Sequence, residues 1–157
     1  MTPPTNKQLA EAEAACLAAA THQPVKTRDR ILALHYLQHD LPVTPTGSFI
    51  TFRDLPGGQF YFGPFRSRSL KPLLKRVGND LDLLRRNLAR FDWQPAQMGD
   101  FAARVHAVGR IEATLVYHLG DDEMPAEAEL LFDACIKRIL CTEYAAAIGS
   151  RICLGLL

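Results

Sequence analysis

The chain has 157 residues, 48% of them hydrophobic and 22% charged, with a formal net charge of +1. That balance describes one globular domain able to bury a core without disulfides, and excludes an intrinsically disordered chain. It also gives no bulk electrostatic attraction to nucleic acid or to a membrane surface.

No apolar run approaches the ~18 residues that span a bilayer. Glu11 and Glu13 interrupt the first twenty residues, where a signal peptide would need a basic start and an apolar block. The cytoplasm is the expected compartment. Cys16, Cys135, Cys141 and Cys153 form no CxxC pair. No spacing therefore supports a zinc ribbon or an iron–sulfur cluster, and reduced thiols are expected.

Taken along the chain, Thr5 and Gln8 have capping-box spacing and open an alanine-rich helix to about residue 20. Residues 1–24 thus read as an N-terminal helical arm. Thr27 caps a second helix to about residue 39, and residues 40–47, with Pro42 and Pro45, read as a loop. Residues 48–53 and 59–62 are β-like, and Pro56-Gly57-Gly58 between them suits a type II turn. The prediction is a β-hairpin. A phosphate-binding loop would instead lead from a strand straight into a helix N-terminus.

Ser69 opens a helical pattern of leucines that continues to Phe91, with Gly78-Asn79-Asp80 able to divide it. A second hairpin comes next, over residues 101–118. A three-residue loop, 108–110, sets Phe101 opposite Tyr117, Ala103 opposite Leu115 and Val105 opposite Ala113, which puts the apolar residues on one face. Pro125 starts a predicted helix to about Leu140, with Ala128, Leu131, Phe132, Cys135 and Ile136 as its apolar stripe. Thr142 caps the last helix. The fold class is α+β, a single domain of antiparallel β-hairpins with four to six helices.

Charge is unevenly spread. Residues 66–90 hold eight bases against two acids, and residues 121–133 hold six acids and no base. Such blocks are solvated faces, face each other, or meet a partner.

His35 and His39 have the i, i+4 spacing of HExxH, with which two imidazoles grip one metal ion on a helix. Tyr36 replaces the glutamate that would act as general base, so the spacing fits a metal or haem ligand and not a protease. Asp121, Asp122 and Glu123 are candidate ligands for a hard cation, or acids at the start of the next helix. His106 and His118 lie opposite Glu112 and Asp100 in the proposed register, as candidate acid/base pairs. They cannot share a metal, because His118 lies about 20 Å along the strand from the partner of His106 at ~3.3 Å per residue. Cys141, before the Thr142 cap, is a weak candidate nucleophile.

Three segments taken together resemble a known family: 31–37 (ILALHYL), 52–65 (FRDLPGGQFYFGPF) and 120–133 (GDDEMPAEAELLFD). It is a bacterial and archaeal domain family of unknown function, common in anaerobes, some members of which are described as iron–sulfur or metal-binding. The similarity spans roughly residues 26–150. Some relatives carry an added cysteine motif for a cluster; this chain lacks one, so the resemblance implies no iron–sulfur cluster of its own. It implies a small cytoplasmic accessory domain and assigns no reaction.

The combined expectation is a non-enzymatic, cofactor-binding module in anaerobic redox or one-carbon metabolism. Haem, a corrinoid or a divalent metal is the expected ligand. His35, Tyr36, Phe60, Tyr61 and Phe62 would supply an imidazole and flat aromatic walls. The alternative is an interaction module that forms a homo-oligomer or meets a redox-protein partner and holds no small ligand.

Overall fold

The structure is a computed structural model that describes residues 30, 31, 34, 36 and 44–157. The alanine-rich segment, Cys16, His35 and His39 lie outside the described residues. Arg30, Ile31, Leu34 and Tyr36 are helical, as the second predicted helix requires.

The described chain runs β1 (Phe49–Thr51), a 3-10 turn (Phe52–Asp54), α1 (Gly58–Arg68), α2 (Leu70–Val77) and α3 (Leu81–Leu88). It continues β2 (Trp93–Ala96), β3 (Phe101–Val108), β4 (Ile111–His118), β5 (Glu127–Asp133), α4 (Ile136–Ile139) and α5 (Thr142–Gly155). The strands form one antiparallel sheet in the order β1-β5-β4-β3-β2. The α+β class holds.

The β3–β4 hairpin has the predicted register, with Phe101 opposite Tyr117 and Val105 opposite Ala113. The loop itself differs. The register shifts after His106, so Val108 pairs with Ile111 and only Gly109-Arg110 connect the strands. A bulge at Ala107 absorbs the extra residue, which lets both Val108 and Ile111 enter the core. Gly109, at φ +55°, leaves room for Tyr36: a Cβ there would lie 2.0 Å from the tyrosine Cζ.

The helix predicted over 125–140 is a strand for half its length. Ala128, Leu130 and Phe132 are buried while Glu127 and Glu129 are exposed, the period of two that a sheet imposes. The same run also fits a helical stripe, and short apolar runs carry both periods. β4 decides between them, placing Ala113, Leu115 and Tyr117 opposite Phe132, Leu130 and Ala128. The helix that the acids at 121–123 were to lead therefore does not exist there.

α2 and α5 pack on the sheet at β5 and β3, and α1 packs on α2 and α5. The opposite sheet face carries the exposed side chains of Arg104, Glu112, His118 and Glu129. Both sheet edges are blunted. β2 contains Pro95, which has no N–H to offer, and the Thr51 N–H of β1 donates to Asp54 Oδ2 at 2.8 Å.

The leucine-rich stretch divides as predicted, at Gly78, with Asp80 capping α3 through the Leu83 N–H at 2.9 Å. Ser69 does not cap: its buried hydroxyl shares a 2.7 Å hydrogen bond with Ser150 of α5. The basic block has structural work at the C-terminal end of α5. Asn87 Nδ2 donates to the Leu156 carbonyl at 2.8 Å and Arg90 to the Gly155 carbonyl at 3.0 Å. Both satisfy groups that a helix end leaves orphaned.

Candidate functional site: the outer face of α1

The predicted type II turn is present. Gly58 N donates to the Leu55 carbonyl at 2.8 Å, and Gly57 takes φ +70°. Beyond the turn the chain does not form a second strand. Gly57 caps α1, and Phe60, Tyr61 and Phe62 are helical. Their β-propensity is overridden because Gly58, Phe62, Phe65 and Ser69 recur at helical spacing and turn one face inward.

That inner face is tightly held. Phe65 stacks on Phe52 with ring centroids 4.3 Å apart and planes within 8°. Phe62 tilts against Phe52 at 6.4 Å, and the Arg53 guanidinium lies 4.0 Å over the Phe62 ring. Gly149 lets α5 come close, since a Cβ there would lie 2.6 Å from Phe65 Cζ. Thr142 Oγ1 donates to the Pro56 carbonyl at 2.6 Å, fastening the turn to the start of α5. Cys141, not Thr142, is the residue preceding that helix.

The opposite face of α1 is open. Phe60 is 87% exposed and Tyr61 63%. Pro64 and Arg68 continue that side of the helix, three and seven residues after Tyr61, and are also exposed. Pro64 sits inside α1 and has no N–H to donate to the Phe60 carbonyl. α1 therefore presents two aromatic rings to solvent, with Arg68 exposed about two turns further along the helix.

The other predicted site residues have separate places. Tyr36 is buried, and its hydroxyl accepts the Arg110 N–H at 3.0 Å, so it belongs to the β3–β4 turn. Asp121 Oδ1 accepts the N–H groups of Glu123 and Met124 at 2.9 and 2.8 Å. Those bonds hold its carboxyl below the ordinary range. Asp122 and Glu123 are exposed beside it. Among the described residues no three His, Cys, Asp or Glu side chains converge as a metal site.

Of the acid/base candidates, His106 Nε2 donates to the Gly109 carbonyl, and Glu112 pairs with Arg104 Nε at 3.2 Å. Asp100 Oδ2 accepts the Leu119 N–H at 2.8 Å. The carboxylates opposite both histidines are thus engaged elsewhere. Burial pushes the Cys135 thiol up to about 11, with Asp133 adding to it, and burial alone takes Cys153 to about 12. Neither thiol is poised as a nucleophile.

Sequence reasoning missed that Phe60 and Phe62 face opposite ways, because a strand reading placed them on the same side.

A family model described as a domain of unknown function, DUF3786, matches residues 12–154. The chain belongs to this family. No curated protein and no solved structure matches it. Among the described residues no helix is long and apolar enough to cross a membrane. Membership in DUF3786 names a shared domain and no reaction.

Proposed function

We propose that this DUF3786 domain is a protein-interaction module whose contact surface is the outer face of α1. The observation that carries this reading is the exposure of Phe60 and Tyr61 on a helix whose other face is locked in the core. Two adjacent aromatic rings left in water are costly to a free surface and valuable in a covered one, since each buries about 150–250 Å². Aromatic and arginine side chains are also those that dominate interface energetics. A photo-crosslinking benzoylphenylalanine at position 61, with a control at the exposed position 86, tests it. Adducts with protein are expected from position 61 above the control. Equal labelling at both positions would discard the reading.

A flat ligand on the same rings is the second reading, favoured by the adjacent exposed rings of Phe60 and Tyr61. Haem and cobalamin are the probes, followed by visible absorbance. A spectral shift lost in Phe60→Ala and Tyr61→Ala supports a ligand, and an unchanged spectrum leaves the protein contact alone. The surface itself favours a protein: bound small ligands are enclosed over most of their area, and an outward helix face is convex.

A further inference from the structure

We infer that the outer side of α5 is the seat of this chain's own alanine-rich segment, residues 5–20. The surface is separate from the aromatic face of α1, since neither Phe60 nor Tyr61 lines it. α5 turns Ala145, Ile148, Gly149, Ile152 and Cys153 to the core, and its fourteen residues include only two charges, Glu143 and Arg151. Its outer stripe, at helical spacing, is Glu143, Ala147, Ser150 and Leu154. One charge stands there where a solvated helix face would hold several, and Leu154 is 47% exposed. A groove of about 560 Å³ lies over that side, bordered by Tyr144, Ala147, Ser150 and Leu154 of α5, Arg68 of α1 and Ile31. A helix so poor in outward charge is normally covered on that side as well.

Ile31 points to the occupant. It is 44% exposed in the groove wall, and residues 1–29 lead directly into it. The chain that precedes Ile31 therefore starts beside the groove, and Pro24 supplies a break after the alanine-rich run. As the helix that its sequence predicts, residues 5–20 would span about 24 Å, and α5 from Glu143 to Leu154 spans about 17 Å, so the lengths match.

The composition of the segment suits a close approach. Its alanines surround Leu9, Cys16 and Leu17, and small side chains at a contact let two helix axes come near. A lone helix of about this length is marginal in water and needs a surface to lie on. The shared domain also includes it, because the family match begins at residue 12, inside the segment, and continues to residue 154.

Amide hydrogen exchange of the full chain, read by mass spectrometry on peptides from residues 5–20, provides the test. In the wild type these amides are expected to exchange at least roughly tenfold more slowly than in the same peptide free in solution. Leu154→Asp and Ala147→Arg in the groove are each expected to abolish that slowing, as is Leu9→Glu with Leu17→Glu in the segment. The amides of β3 and β4 should keep their wild-type protection in every variant, which shows that the fold persists. No slowing in the wild type would overturn the inference. Slowing that survives both groove variants would do so too, because the segment then packs elsewhere. Slowing that increases with protein concentration would assign the groove to the segment of a second copy and refute the same-chain occupant. Crosslinking from position 61 bears on the α1 surface alone, so the two proposals stand or fall separately.

Discussion

Gly58 lies so close to Phe52 that a Cβ placed on it would sit 2.1 Å from the Phe52 carbonyl oxygen. The contact brings α1 down onto the 3-10 turn and lets Phe65 stack on Phe52. Its neighbour Gly57 has a different task, holding φ +70° at the turn. Gly58→Ala should therefore cost about 3 kcal/mol through forced backbone displacement. Gly57→Ala should cost only ~1–2 kcal/mol for its left-handed conformation. Urea unfolding midpoints of the two variants check the order.

The two faces of α1 should respond differently to truncation. Phe65 is 1% exposed, and Phe65→Ala is expected to lose roughly 3–5 kcal/mol. Phe60→Ala should stay within about 0.5 kcal/mol of the wild type, as surface substitutions do. A Phe60→Ala loss as large as that of Phe65 would mean that α1 packs the other way round.

Asp133 joins the loop before β1 to the end of β5. Burial opposes its ionisation, but N–H bonds from Cys135, Thr46 and Gly47 and the Thr46 hydroxyl outweigh burial and hold its carboxyl far below the ordinary range. A depressed folded-state pKa contributes stability above the unfolded value, ~3.9, and that contribution is lost as pH falls towards the folded value. The wild type should lose stability below about pH 4 more steeply than Asp133→Asn. At neutral pH the variant should be less stable by roughly 1–3 kcal/mol, from lost charge-assisted bonds. Thermal unfolding at a series of pH values reads both effects.

Thiol chemistry should be selective. Cys135 and Cys153 are buried, whereas Cys141 is exposed. With thiols raised to about 11 and about 12, Cys135 and Cys153 carry little thiolate at pH 8. Brief alkylation of the native protein and then peptide mass mapping should show Cys141 modified and the other two spared. Unfolding in denaturant should expose Cys135 and Cys153 as well. Rapid native labelling of Cys153 would contradict its place on the buried face of α5.

Much of the fold was legible where a segment carried one period. The β3–β4 register came from the alternation of Phe101, Ala103 and Val105 with Arg104 and His106, because a slip of one residue would turn charges into the core. Two segments carried two periods and were misread. Phe60-Tyr61-Phe62 has the β-propensity of a strand and the spacing of a helix. The residues around Leu130 and Leu131 serve a helical stripe or a strand equally well. The site suffered for the same reason: a strand sends Phe60 and Phe62 to one side, whereas the helix sends Phe62 to the core and Phe60 to solvent.

The amino-acid sequence by itself determined the α+β class, the family, the type II turn at Pro56-Gly57 and the pairing of β3 with β4. Each is a local matter: a backbone preference or a strict alternation fixes it before any distant contact forms. Only the tertiary structure decided that the turn opens a helix and that residues 127–133 join the sheet. Those outcomes depend on which neighbour buries the apolar face, Phe52 and Gly149 for α1 and β4 for β5. A short apolar run carries both periods, so the choice waits for the surface that packs on it.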